Sequence, residues 1–242
     1  PYLAHATMEP MVCTAWLQGD KLDVWTSTQN PENTLAVAAA TAGVAQDKVT
    51  VHPMQLGGGL GRKSPQDFTR QGVMIAKAMA GTPVKMVWSR EEDMAQDYFR
   101  PIGLCKLEAG LDAQGNLLGL QLRVSGQSIN AYLSPQNIKD GKDLRQLQGL
   151  TAEPSDAQLG YTIPSLRTEY AMRNSHVPVG AWRGVNTNQN GLYLECFMEE
   201  VAAAAGRDPL EFRRALMQKH PKHLAVLNAA ADKAGWGKPL PA

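Results

Sequence analysis

Four of the five residues from Gly57 to Gly61 are glycine, with only Leu60 among them, and Arg62-Lys63 follows directly. A run like this offers no side-chain face for a packed helix or strand. It makes a loop whose backbone N–H groups can come close to a ligand oxygen, because no Cβ atoms stand in the way. The flanking residues alternate between strand and helix patterns. Leu22-Asp23-Val24-Trp25-Thr26 has the period of a strand, and Thr28-Gln29-Asn30-Pro31 interrupts it. Pro31 suits the first turn of a helix through Ala36–Ala42, ended by Gly43. Lys48–Pro53 reads as a second strand, Gln55–Pro65 as the glycine loop, Asp67–Ala80 as a helix stopped by Gly81, and Val84–Trp88 as a third strand. That succession is an α/β order.

Beyond Met94 the pattern changes. Leu104–Leu111 and Leu117–Ser125 read as strands joined across Asp112–Asn116 in a hairpin connection, and residues 127–165 as a polar excursion. Leu166–Met172 is a further strand, and Pro178–Asn190 a polar loop with two glycines. Helices are expected over Leu192–Ala205, Leu210–Met217 and Leu224–Ala234, the second opened by Asp208 as N-cap and Pro209 as N1. The whole is an α+β chain of mixed sheets with packed helices. An α/β subdomain over residues 1–94 carries Gln29 and the glycine loop, and an α+β subdomain over 95–242 has strands followed by C-terminal helices.

Charge and cysteine content narrow the function. Against 24 basic side chains stand 23 acidic ones, without the basic excess of a nucleic-acid binder. No apolar run reaches the length of a membrane-spanning helix. Cys13, Cys105 and Cys196 are far apart, which argues against a disulfide framework, a zinc site or an iron–sulfur cluster held by this chain alone, and leaves three ordinary buried thiols. The histidines show no convincing metal-ligand spacing, and no GxSxG elbow is present.

Three stretches could carry chemistry. The glycine loop fits neither a P-loop nor a dinucleotide fingerprint, and reads equally as a flexible turn or as an anion-binding cradle with Arg62 and Lys63 adding positive charge beside it. Gln29 sits where a strand ends and a helix begins, a common place for a ligand-facing residue. Trp182-Arg183 is bracketed by Gly180 and Gly184, so Arg183 could enter a pocket to bind oxygen atoms bidentately or could pair with a structural carboxylate.

Taken in order, several stretches resemble the large subunits of the xanthine dehydrogenase/aldehyde oxidase family of molybdenum hydroxylases, and most of all the isoquinoline 1-oxidoreductase beta-subunit and bacterial membrane-associated aldehyde dehydrogenase type. The likeness runs nearly end to end. It rests on His5-Ala6-Thr7-Met8-Glu9-Pro10-Met11-Val12-Cys13-Thr14-Ala15, Thr28-Gln29-Asn30-Pro31, Gly57–Lys63, Val84–Met94, Val177–Arg183, Asp208-Pro209-Leu210-Glu211-Phe212-Arg213 and Ala234-Gly235-Trp236-Gly237. The resemblance puts on Gln29 the glutamine that hydrogen-bonds an oxygen ligand of molybdenum. It lays Gly57, Gly58, Gly59, Leu60 and Gly61 against the metal centre, and puts on Arg183 the arginine that faces the substrate. Leu60, Ser64 and Trp182 would line the substrate pocket. Family members usually carry Phe where Leu60 stands, so the apolar wall remains but ring stacking is lost. Ser64 replaces a carboxylate that reads purines in some members, which argues against xanthine as substrate.

The resemblance further implies oxidation of an aldehyde or N-heterocycle by water-derived hydroxylation, with hydride transfer to a molybdenum centre. The cofactor would be a molybdopterin dinucleotide, in bacteria typically the cytosine form, with 2Fe-2S clusters on a partner chain. The implied partners are a small iron–sulfur subunit, the remaining C-terminal part of the molybdenum subunit and, in some arrangements, a cytochrome c subunit, with a small-molecule substrate and no nucleic acid. A periplasmic or membrane-associated location is implied in the same way. The family's general-base glutamate has no counterpart here, so the chain reads as a piece of a longer polypeptide, inactive by itself. Two other readings stay open: a non-catalytic anion- or cofactor-binding module that completes another subunit, and a phosphate-binding hydrolase.

Overall fold

The computed structural model describes residues 2–152 and 158–239. They form two compact units. The first holds the chain up to Ile102 with Ile129–Ile138 and Asn174–Arg183, and the second holds Gly103–Ser128, Lys139–Arg173 and the chain from Gly184 onward. The first unit thus runs past the 94/95 boundary read from the sequence and takes in two later segments.

The first unit comprises β1 (Val12–Gln18), β2 (Lys21–Thr26), α1 (Pro31–Ala42), β3 (Val49–Pro53), α2 (Asp67–Ala78), β4 (Val84–Val87), α3 (Arg90–Ala95) and α4 (Ile129–Leu133). Its sheet has the order β3-β2-β1-β4. β1 is antiparallel to both β2 and β4, while β2 and β3 are parallel across the α1 crossover. The sheet is therefore mixed, because β1, which the α/β reading lacked, lies at its centre. In β1, Cys13, Ala15 and Leu17 are buried while Val12, Thr14 and Trp16 are half-buried. Both faces carry apolar side chains, so the strand shows no clean polar alternation.

Leu22, Val24 and Val49 continue the buried face, covered by Ala38, Ala39 and Ala42 of α1 and by Phe68, Val73 and Ala76 of α2. Small residues bring helix and sheet close. A Cβ at Gly72 would lie 2.8 Å from Cys13 Sγ. Burial pushes the Cys13 thiol up to about 12. α1 starts as the sequence predicts: Asn30 Oδ1 accepts from Asn33 N at 3.1 Å, Pro31 occupies the first turn, and Gly43 closes the helix at φ 79°.

The second unit comprises β5 (Gly103–Leu111), β6 (Leu117–Gly126), β7 (Ser165–Met172), α5 (Asn186–Ala204), α6 (Pro209–Leu216) and α7 (Pro221–Ala234). β5 and β6 pair as the expected hairpin, with Asp112 Oδ1 accepting from Gln114 N and Asn116 N at 2.9 and 2.8 Å, and β7 joins β6 in parallel. Leu122, Val124, Leu194, Met198 and Phe212 are among the core residues.

Three expectations need correction. α5 begins at Asn186 rather than Leu192, so the polar loop is shorter than expected. Its polar first turns face inward: Asn186 Nδ2 donates to Arg145 O at 2.9 Å, and Asn190 Nδ2 donates to Gln146 O and Gln148 O at 2.8 and 2.9 Å. α7 begins at Pro221, whose fixed φ suits the first turn. Of the three thiols only Cys13 is buried, and Cys196 is exposed on α5.

Gly72→Ala should destabilise the first unit by about 1–3 kcal/mol through overpacking against Cys13. The double variant with Cys13→Ala should recover most of that loss in chemical denaturation. Equal destabilisation in the single and double variants would contradict the packing account.

Candidate functional site

The glycine loop is held at both ends by the segment around His5–Glu9. Glu9 N donates to Gly57 O at 2.8 Å, and Glu9 Oε2 accepts from Gly57 N at 3.1 Å. A Cβ at Gly57 would stand 2.4 Å from that of Glu9, so this close docking requires glycine. At the other end Gly61 has φ 111°, and a Cβ there would meet Ala181 O at 1.6 Å.

Gln29, exposed at the end of β2, fastens the centre. Its Oε1 accepts from Gly61 N at 3.0 Å and Lys63 N at 3.2 Å, and its backbone N donates to Lys63 O at 3.0 Å. A Cβ at Gly59 would lie 2.4 Å from that same Oε1. The Nε2 of Gln29 and the backbone N–H groups of Gly58, Gly59 and Leu60 have no hydrogen-bond partner among the described residues. Leu60 is held at φ 56°, unusual for a branched side chain, and is 38% exposed at the apex. Arg183 N donates to Leu60 O at 2.9 Å, which brings Trp182-Arg183 onto the loop. Ser64 is half-buried and donates its backbone N–H to Gly61 O at 3.2 Å.

Gln29, the loop, Ser64, Trp182 and Arg183 are thus brought together. Arg62 and Lys63 are not where the sequence reading put them. Both are buried and turned into the protein. Lys63 Nζ pairs with Glu9 Oε2 and donates to Ser27 Oγ at 2.8 Å. Arg62 donates to both oxygens of Asp67 at 2.9 and 2.7 Å. Its Nε lies 3.0 Å from Asp97 Oδ1, an ion-pair contact in which the N–H does not aim at the oxygen. The guanidinium also lies over the rings of Trp88 and Tyr98. Burial opposes the charge on Arg62, but Asp67 and Asp97 outweigh it and hold its proton more tightly than usual. Buried charge must be paired, so these two cations stabilise the fold around the loop and do not themselves form a basic patch beside it.

The sequence reading missed the residues that support the site. Gln66 Nε2 donates to Thr28 Oγ1, Lys63 O and Ser64 O, while its Oε1 accepts from Thr34 and Thr69. His5 is buried, bonds Asp97 and stacks on Trp182 with ring centroids 4.7 Å apart. Ala6, beside it, has φ 44°, so the backbone turns sharply to place His5 and Glu9 at opposite ends of the loop. The only sequence trace of this arrangement is the spacing within His5-Ala6-Thr7-Met8-Glu9.

Burial works to raise the Glu9 carboxyl, but hydrogen bonds from Lys63, Ser27 and Gly57 prevail and hold it below its ordinary value of 4.5. A depressed carboxylate stabilises the fold above its unfolded value, and that contribution is lost as pH falls through the folded one. Stability of the first unit should therefore decline below about pH 4.5. Glu9→Gln should be less stable at neutral pH and show a shallower acid decline. An identical acid profile in both would exclude Glu9 as the cause.

Residues 1–217 match the family model of the molybdopterin cofactor-binding domain. The chain is 29% identical to isoquinoline 1-oxidoreductase subunit beta of Brevundimonas diminuta, over 96% of this chain and 29% of that one. It is 23% identical to the membrane-bound aldehyde dehydrogenase (pyrroloquinoline-quinone) of Gluconacetobacter polyoxogenes, over 97% of this chain and 32% of that one. The fold matches the crystal structure of quinoline 2-oxidoreductase from Pseudomonas putida 86 at a TM-score of 0.79 and 19% identity, over 97% of this chain and 31% of that one. The chain therefore spans about a third or less of the length of these relatives. Among the described residues no helix is long and apolar enough to cross a membrane. With the family model covering the whole of the first unit and most of the second, the chain belongs to the molybdopterin cofactor-binding domain family.

Proposed function

We propose that this chain forms one wall of the molybdenum–molybdopterin site in a hydroxylase large subunit, and that the complete enzyme oxidises an aldehyde or an N-heterocycle with oxygen derived from water. The observation that carries the reading is the donor surface of the loop. Three consecutive backbone N–H groups, Gly58 to Leu60, and the Nε2 of Gln29, whose Oε1 is bonded to the same loop, lack partners among the described residues. Such a set suits a group rich in anionic oxygen, and its backbone donors keep fixed directions and do not titrate. The donors and the small residues between them fit the cofactor. When bound, it supplies the two-electron oxidation of the substrate carbon.

This chain's residues bind and orient. Gln29, its Oε1 already committed to the loop, presents Nε2 as a donor toward the cofactor. Leu60 gives the substrate an apolar wall without ring stacking, and Trp182 adds a second one. Ser64, being neutral, favours substrates other than purines. Arg183 stabilises negative charge that grows on the substrate as it is attacked. The general-base glutamate comes from the remaining C-terminal part of the molybdenum subunit.

The cytosine dinucleotide form of the cofactor, a small subunit carrying 2Fe-2S clusters, a cytochrome c subunit as a later electron acceptor, and a periplasmic site on the membrane surface complete the proposal. Another subunit is supported by the first relative's being named subunit beta, and the membrane surface by the second's being named membrane-bound; the cofactor form, the clusters, the cytochrome and the periplasmic side rest on the family resemblance alone.

Metal analysis of the complex purified from its native host should give about one molybdenum per complex. Arg183→Ala should keep that metal and lose about a hundredfold or more in kcat/KM. Gln29→Ala, which also frees two loop amides, should lower both metal retention and activity. No molybdenum in a complex with all its subunits would turn the reading to a non-catalytic binding module.

A further inference from the structure

We propose that His5 is a positioning residue: it clamps the Ala181–Arg183 segment onto the glycine loop and so sets where Arg183 stands. The significance for turnover rests on the proposed role of Arg183, but the clamp itself does not.

Five observations converge on this ring. His5 is buried, although Met8 and Leu60 in the same region are exposed. Its Nδ1 faces both oxygens of Asp97, at 3.0 and 3.1 Å, and its backbone N donates to the same carboxylate. Its Nε2 faces Ala181 O at 3.2 Å. Its ring stacks on Trp182 at 4.7 Å and 20° between planes. A Cβ built on Gly61 would lie 3.5 Å from Nε2, so the ring stands beside the loop as well.

The chemistry of the neighbours makes His5 a bridge. A carboxylate and a backbone carbonyl are both acceptors, and they flank the two nitrogens of one ring, Asp97 at Nδ1 and Ala181 O at Nε2. Aspartate fixes one edge of the imidazole, and the other edge grips a backbone carbonyl two residues before Arg183. Asp97 in turn is held by the Arg62 guanidinium, which Asp67 anchors from its other side. Asp93 is buried nearby and paired with Arg90. The segment has a second tie to the loop in Arg183 N to Leu60 O, at 2.9 Å. His5 and Leu60 thus hold the residues immediately before Arg183 and its backbone N, respectively. Without His5, Trp182 loses its stacking partner and Ala181 O its ring contact, while the backbone bonds of Phe99 with Pro178 and Gly180 and of Arg183 N with Leu60 O remain.

The test is hydrogen exchange, read by mass spectrometry on the complete cofactor-loaded enzyme, with kinetics on the same preparations. His5→Ala should quicken exchange of the peptide covering residues 178–184 by about tenfold or more, the expected consequence of losing a stabilising hydrogen bond. Peptides of β1 and β2 should exchange as in the parent, and molybdenum content should hold while kcat/KM falls. His5→Gln can serve Asp97 or Ala181 but cannot bridge both with a stacked ring, and should lie between. Trp182→Leu leaves the Asp97 contact intact and removes only the stacking, so it tests the clamp even if His5→Ala does not fold, with faster exchange again confined to residues 178–184. Unchanged exchange there in both His5→Gln and Trp182→Leu, or equal loosening of the whole first unit, would overturn the clamp. Normal exchange in Arg183→Ala with undiminished turnover would instead overturn the role of Arg183 and leave the clamp standing.

Discussion

The buried guanidinium of Arg62 is the group on which the rest of the site depends. Taking such an ion out of water costs several kcal/mol even after relaxation, roughly the scale of a domain's net stability. It is tolerated because opposite charge and aromatic rings surround it: both oxygens of Asp67 accept from its terminal nitrogens, Asp97 lies beside Nε, and the rings of Trp88 and Tyr98 lie under it. These partners come from α2, from the segment after α3, and from the end of β4. Fixing Arg62 therefore fixes three parts of the first unit against the residue that ends the glycine run. Asp97 passes the constraint on to His5, and through it to Ala181 and Trp182. Removing one member would leave the others buried with charge uncompensated, so the network is cooperative.

This use of charge decides how the site can recognise a ligand. The two cations that follow the glycines look from the sequence like anion binders, yet Glu9, Asp67 and Asp97 neutralise them inside the protein. What remains on the outside of the loop is backbone dipole. An N–H group carries little desolvation cost compared with a lysine ammonium, and its direction is set by the chain. It is also indifferent to pH. A centre that changes its own charge during turnover is better served by such fixed neutral donors than by mobile cations, which would have to reorganise at each redox step. Glycine enters for two separate reasons. At Gly57, Gly59 and Gly61 a side chain would collide with Glu9, Gln29 or Ala181, whereas Gly58 serves the turn through its φ of 94°.

Much of this architecture was legible because local signals agreed with the final packing. The α1 start at Asn30-Pro31, its end at Gly43, the α6 cap at Asp208 and the β5–β6 hairpin each depend on residues within a few positions of one another. The grouping of Gln29, Leu60, Ser64 and Arg183 was legible only through the order of motifs along a family pattern, since no local rule joins residues so far apart. β1 stayed hidden because Trp16 and Val12 put apolar surface on its outer face. The first turns of α5 stayed hidden because Asn186 and Asn190 look like loop residues, and their burial becomes intelligible only once the carbonyls of Arg145, Gln146 and Gln148 are seen to need donors. The inward turn of Arg62 and Lys63 was illegible for the same reason: Asp97 and Glu9 are remote in sequence, and a basic pair beside glycines reads the same whether it faces a ligand or a buried carboxylate.

The two strained positions in this region fall where the chain has to reverse around the site. Ala6 at φ 44° and Leu60 at φ 56° occupy a conformation that costs a residue with a Cβ roughly 1–2 kcal/mol, and that glycine would adopt freely. Leu60 is the more telling, because glycine surrounds it on both sides and a fifth glycine would remove the strain. Its backbone is kept in place by Arg183 N on Leu60 O and by the turn that returns Arg62 N to Gly59 O. The strain is thus borne by the same bonds that position Arg183 and bury Arg62, and what it secures is an apolar side chain projecting from the apex of the donor surface. A loop needed only to bind an anion would have no use for that side chain. On the proposed function, a loop that must also offer an apolar wall to a carbon substrate beside the donors would, and serving both ends at one residue would account for the conformational cost of Leu60.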